Sequence, residues 1–159
     1  MKKKSKNITQ GFCELPLKHT RGTYKNRNRL YRFKKESFSW NGIRVQPYKP
    51  GGDDWQKIIR QVIIGSHGES TRFHLRYFEI SPGGNSSFET HKHEHVVICI
   101  RGKGRVRLGK RTVEMGYMDV LYISPETPHQ LMNPYDEPFG FFCIVNARRD
   151  KPKPVNKAP

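Results

Sequence analysis

Cysteine is scarce in this chain. Cys13, Cys99 and Cys143 stand far apart, an odd number with no CxxC spacing. That excludes a disulfide framework and a cysteine-rich zinc module, and it fits a reducing compartment. No apolar run reaches membrane-spanning length. The lysine-rich start lacks the apolar stretch of a signal peptide, because Asn7, Thr9 and Gln10 interrupt it. A cytoplasmic location without membrane contact is therefore expected. Hydrophobic residues make up only 34% of the 159 positions, so part of the chain is expected to lie outside any core. Long helical periods and helical repeats are absent too. Acids are few, 14 against 30 Lys and Arg, for a net charge of +16.

That charge is localised. Residues 1–35 hold twelve Lys and Arg and one acid, Glu14, whereas the other 124 hold eighteen against thirteen. Residues 1–36 thus read as a basic, largely disordered arm, 37–150 as a single domain and 151–159 as a flexible Lys/Pro tail. Tyr24, Tyr31 and Phe33 are interleaved with the arm's cations, so nucleic-acid contact through phosphates and stacked bases is the alternative for this segment. No nucleic-acid-binding fold motif accompanies it.

What the body does contain is a series of about nine short strands. Trp55 to Ile64 admits a short helix with Asp53 or Asp54 as its cap, but Gln61-Val-Ile-Ile64 is β-branched and ends in a Gly65-Ser-His-Gly68 turn, which favours a strand. Strands follow at Thr71–Ile80, Val96–Ile100, Arg105–Leu108, Thr112–Met115, Val120–Ile123, His129–Met132 and Phe141–Val145. Ser81-Pro-Gly-Gly84, Arg101-Gly-Lys-Gly104 and Gly109-Lys-Arg111 are the expected turns. Such punctuation belongs to an all-β sandwich or barrel.

Between Glu89 and His95 the chain reads Glu-Thr-His-Lys-His-Glu-His. Alternate side chains on a strand share a face with Cα atoms about 6.6 Å apart, so Glu89 and His91 can converge on one ion. A turn at Lys92–Glu94 would bring in His95. His and Glu without Cys form a ligand set for a divalent metal, namely Mn, Fe, Co, Ni or Zn. His93 shares the same parity, so it competes with Glu89 for the ligand role or joins it. His74 shares parity with Phe78 and Ile80 as a wall residue, and Cys99 shares parity with His95.

The spacing Gly83-x5-Glu89-x-His91-x3-His95-x6-Gly102 resembles the first motif of the cupins, and Asp119 to Asn133, with His129, resembles the second. Glu89 and His95 exchange the usual His and Glu positions, while Met118, Ser124 and Glu126 replace the usual Gly, Pro and Gly. The resemblance implies a small double-stranded β-helix (jelly-roll) barrel. It also implies one metal centre in which His129 joins Glu89, His91 and His95, with Mn or Fe favoured. Counting from Gly102 leaves His93 in the turn. A wider similarity covers about residues 40–152. It includes Trp40-x-Gly-Ile43, Leu75-Arg-Tyr-Phe-Glu-Ile80, His91-x-His-x-His95 and Gly140-Phe-x-Cys143 through Lys151-Pro152. Its pattern resembles the methylthio-xylulose-phosphate methylsulfurylase group, metal-dependent cupins of sulfur salvage.

Membership of that group would imply a small sugar-phosphate substrate, a thiol co-substrate such as glutathione, and a homodimer. Glu89, His93 and Cys143 would then be the candidate catalytic groups, and Lys49, Arg60 and Arg76 the candidate phosphate-binding cations. A metal-dependent dioxygenase or isomerase acting on another small molecule is a second reading. A non-catalytic regulatory cupin whose arm contacts nucleic acid is a third.

Overall fold

The structure, a computed structural model, describes residues 28–49 and 54–155. Among these the regular structure is all strand: β1 Phe33–Lys34, β2 Ser39–Trp40, β3 Gln46–Pro47, β4 Gln56–Ile64, β5 Phe73–Asn85, β6 Glu89–Thr90 and β7 His95–Arg101, then β8 Gly104–Leu108, β9 Arg111–Met115, β10 Val120–Ile123, β11 His129–Met132, β12 Phe139–Asn146 and β13 Lys153–Pro154. All pairings are antiparallel. One wall runs β3-β4-β5-β12-β7-β10, and the other runs β9-β8-β11-β6-β13. The thirteen-residue β5 joins the two, because its end at Asn85 pairs with Met132 of β11. The result is a nearly closed barrel.

Alternation decides what fills it. In β7, His95, Val97 and Cys99 are buried while Val96 and Ile98 are less so. In β12, Phe139, Phe141, Cys143 and Val145 face the core they share with Phe78 and Ile80. Tyr77 has the opposite parity on β5 and is also fully buried. It packs on the outer surface against Phe38, Trp40 and Phe142. That outer aromatic layer comes from the β1–β2 hairpin. Thus residues 28–36, read from sequence as part of the arm, include a strand paired to Ser39–Trp40 and a Phe33 ring 5.2 Å from Trp40. Residues 1–27 of the arm lie outside the described residues.

Trp55–Ile64 is strand as expected, from Gln56 onward. Two expectations are revised. Ser81–Gly84 does not reverse the chain. Gly83 takes a left-handed φ of 72° inside β5, and its amide donates to Asn133 O at 2.8 Å, so the segment bulges and continues. In the tail, Lys153 and Pro154 pair with Thr90 and Glu89, and the Val155 amide donates to Phe88 O at 3.0 Å. Backbone bonds hold this strand, which is why composition gave no sign of it. Short pairings such as β1, β2 and β13 also raise the strand count above nine. The turn at Gly102 is as expected. Its φ is 59°, and a Cβ there would meet Pro138 O at 2.3 Å, so both conformation and space require glycine.

Candidate metal centre

The turn between β6 and β7 carries His91 and His93, β7 opens with His95, and β11 opens with His129 directly opposite Glu89 of β6. All five side chains are buried. His91, His95 and His129 each offer a ring nitrogen, and these atoms lie within 4.8 Å of one another. The ring centroids are 4.5 Å apart for His91 and His95, 4.9 Å for His91 and His129, and 5.1 Å for His95 and His129.

Hydrogen bonds fix the tautomers. His91 Nδ1 donates to His93 O at 2.7 Å, and His129 Nδ1 donates to Thr127 O at 2.8 Å. Each bond leaves the Nε2 lone pair unprotonated. His91 Nε2 and His95 Nε2 are buried with no hydrogen-bond partner. Burial, then the neighbouring imidazoles of His93 and His129, pushes His91 down to about 4. Burial followed by Arg76 keeps His95 well below its ordinary value, and burial lowers His129. Three neutral imidazoles with unshared lone pairs converging in a buried site are what a divalent transition metal requires. The donor set fits such an ion.

Glu89 stands beside this cluster, outside the group of converging atoms. Its Oε2 accepts from Lys49 Nζ at 2.6 Å, and the same ammonium donates to Ser87 Oγ at 2.8 Å. His93 stacks on His91 with centroids 3.7 Å apart, and its Nδ1 bonds Asp150 Oδ1 at 2.7 Å. Asp150 Oδ2 also accepts from the Lys92 amide at 2.9 Å. Burial works against Asp150 ionisation, but the bonds from His93 and Lys92 outweigh it and hold the carboxyl down to about 2.

The cavity beside the histidines is lined by Lys49, Arg60, Arg76, Glu89, Cys143 and Arg149, among others. All three cations singled out in the sequence are therefore brought together. Arg60 Nη2 donates to Gln46 Oε1 at 3.0 Å. Arg76 Nη2 lies 3.3 Å from Cys143 Sγ, which is itself 3.6 Å from His95 Nδ1. Cys99 instead sits in the apolar core, its thiol directed to Arg101 O and Gly102 O. Burial raises its pKa. His74 is half-buried on β5 and accepts from Arg149 Nη1 at 3.2 Å. His67 belongs to a loop contact with Glu69 and Val62.

Two residues of the site were missed in the sequence, Arg149 and Asp150. The available signal was the stretch Asn146-Ala-x-Arg-Asp-Lys-Pro152, part of the wider similarity.

The second-motif loop holds a further departure. Met118 and Glu126, which stand where the motif expects glycine, have φ values of 68° and 61°. The backbone keeps the glycine conformation although the side chains are not glycine.

Comparison with known proteins bears on all of this. The family model described as "Cupin domain" matches residues 76–145. A 1-methylthio-D-xylulose 5-phosphate methylsulfurylase of Rhodospirillum rubrum is 36% identical over 129 residues, 80% of this chain and 81% of that protein. The solved structure of a cupin 2 conserved barrel domain protein from Rhodopseudomonas palustris has a TM-score of 0.73 at 32% identity, covering 80% of this chain and 87% of its own. A solved cupin-2 domain from Rhodospirillum rubrum has a TM-score of 0.70 at 33% identity, covering 81% and 86%. Shared sequence across four fifths of both chains, on the same barrel, makes this chain a member of the cupin family.

Proposed function

We propose that this cupin is a cytoplasmic, mononuclear metal enzyme that transfers the methylthio group of a ketose phosphate to a thiol. The C–S bond breaks, a C–H bond forms with the thiol's proton, and the methylthio sulfur leaves as a mixed disulfide. The observation that carries this reading is the cluster of His91, His95 and His129 beside a cation-lined cavity. The printed activity of the Rhodospirillum rubrum relative supplies the substrate class. The three histidines, with Glu89 as fourth ligand, would hold Mn or Fe. Such an ion supplies Lewis-acid polarisation of a substrate oxygen.

The chain's own groups have separable tasks. Lys49 compensates the Glu89 charge across 2.6 Å. Asp150 fixes the His93 ring, so that His93 Nε2 is the atom that takes up or returns a proton beside the substrate. The Arg76 guanidinium binds the anionic end, while Arg60 donates to Gln46 Oε1 at 3.0 Å. Cys143 lies under Arg76, with its thiol 3.6 Å from His95 Nδ1. The cavity that holds these groups has a volume of about 50 Å³.

The test is an assay of Mn- or Fe-loaded protein with 1-methylthio-xylulose 5-phosphate and glutathione, following loss of the methylthio group by mass spectrometry. Turnover that needs both metal and thiol supports the reading. A loaded protein that neither binds nor converts the compound overturns it.

A further inference from the structure

The cavity is lined by four cationic side chains and they are not equivalent. Lys49 already faces the Glu89 carboxylate at 2.6 Å, which cancels its charge locally. Arg76 rises from β5 and Arg149 comes from the segment after β12, and both line the cavity. His74 accepts from Arg149 Nη1 at 3.2 Å. Arg149 is further placed by its own Nη1 contact with Asn146 O at 3.3 Å. The backbone around it is tied down by the Ala147 amide on Arg72 O at 2.9 Å and by Asp150 on Lys92 and His93.

The electrostatics agree with that geometry. After burial, the charges of Arg149 and Arg76 are the next causes that depress His74, to about 4. Two elements thus bring one guanidinium each to the cavity.

We propose that Arg76 and Arg149 form a two-armed clamp for a phosphomonoester, with Arg149 setting the preference for phosphorylated over unphosphorylated ligands. Two planar guanidinium forks lining one cavity suit the dianionic, multi-oxygen end of a sugar phosphate. Lys49, being neutralised by Glu89, is left to the metal side. This assignment rests on the reading of the ligand as a phosphorylated small molecule. It adds that the phosphate lies at the β5 and post-β12 wall, so the reacting end points toward His91, His95 and His129.

The experiment measures binding of xylulose 5-phosphate and of xylulose to metal-loaded protein by calorimetry, for the wild type, Arg149→Ala, Arg149→Lys and Lys49→Ala. Metal content serves as the check that each variant is folded. The wild type should prefer the phosphorylated sugar, and Arg149→Ala should lose roughly ten- to hundredfold of that preference. Arg149→Lys should recover part of it, and Lys49→Ala should keep it. If the wild type shows no preference, the phosphorylated-ligand reading falls and the clamp with it. If the wild type prefers the phosphate and Arg149→Ala does so equally, the clamp alone falls. A preference lost in Lys49→Ala but kept in Arg149→Ala likewise overturns it.

Discussion

The backbone amide of Glu126 donates to the carbonyl of His91 at 2.7 Å, joining the second-motif loop to the first-motif turn. Glu126 reaches that position with a φ of 61°, and Met118 does the same nearby at 68°. A left-handed non-glycine residue costs about 1–2 kcal/mol, and glycine returns part of this as unfolded-chain entropy. Glu126→Gly and Met118→Gly should each stabilise the protein by about 0.5–1 kcal/mol, a rise in Tm of roughly 2–5 °C. Thermal denaturation of the metal-free protein checks this, and a fall in Tm for both would remove the strain argument.

Metal analysis separates the ligands. His91→Ala, His95→Ala and His129→Ala should purify with little metal, since each removes one of three converging lone pairs. Glu89→Gln should reduce metal affinity roughly tenfold or more, whereas His93→Ala should retain more metal than any of the three. Full metal in Glu89→Gln with loss in His93→Ala would exchange those two roles.

Acid should unfold the metal-free protein through its histidines. His74 and His91 are pushed down to about 4 from the ordinary 6.5, in each case by burial first. The unfolded chain therefore binds more protons than the folded one between those values, so stability is complete above about pH 6.5 and declines as pH falls toward 4. Urea midpoints measured from pH 7.5 to 4.5 should show that decline, and His74→Gln should make it shallower. A pH-independent midpoint would contradict the burial of neutral imidazoles.

Asp150 ties the segment after β12 to the metal-site turn. Asp150→Ala removes the acceptor of the Lys92 amide and of His93 Nδ1. Hydrogen exchange at the Lys92 amide should accelerate roughly tenfold or more, and metal affinity should weaken by a similar factor. Unchanged exchange at that amide would mean that the contact does not order the turn.

Much of this molecule was readable because its information is periodic. Short strands punctuated by glycine and proline announced an all-β barrel, shared parity put His74 with Phe78 and Ile80 and Cys99 with His95, and the interval from Glu89 to Gly102 placed His93 in the turn before β7. Periodicity says nothing about where an irregular segment crosses back over the barrel. Arg149 and Asp150 sit in a Pro- and Lys-rich stretch whose placement depends on backbone bonds to β6 and on an acceptor for Lys92. Gly83 and Gly84 were misread for a related reason. Glycine pairs signal reversals in isolation, but here the backbone of Asn133 captures both of them and carries the strand onward. The positive φ at Met118 and Glu126 was legible only as a departure from a motif.

β5 carries opposite cargo on its two faces. Arg76 and Phe78 line the cavity, while Tyr77 anchors the outer aromatic layer. A slip of one residue against β12 or β4 would turn both sets inside out together. Assembling the cavity and folding the domain are therefore a single cooperative event. A chain that has lost its outer layer has no half-built cavity to fall back on.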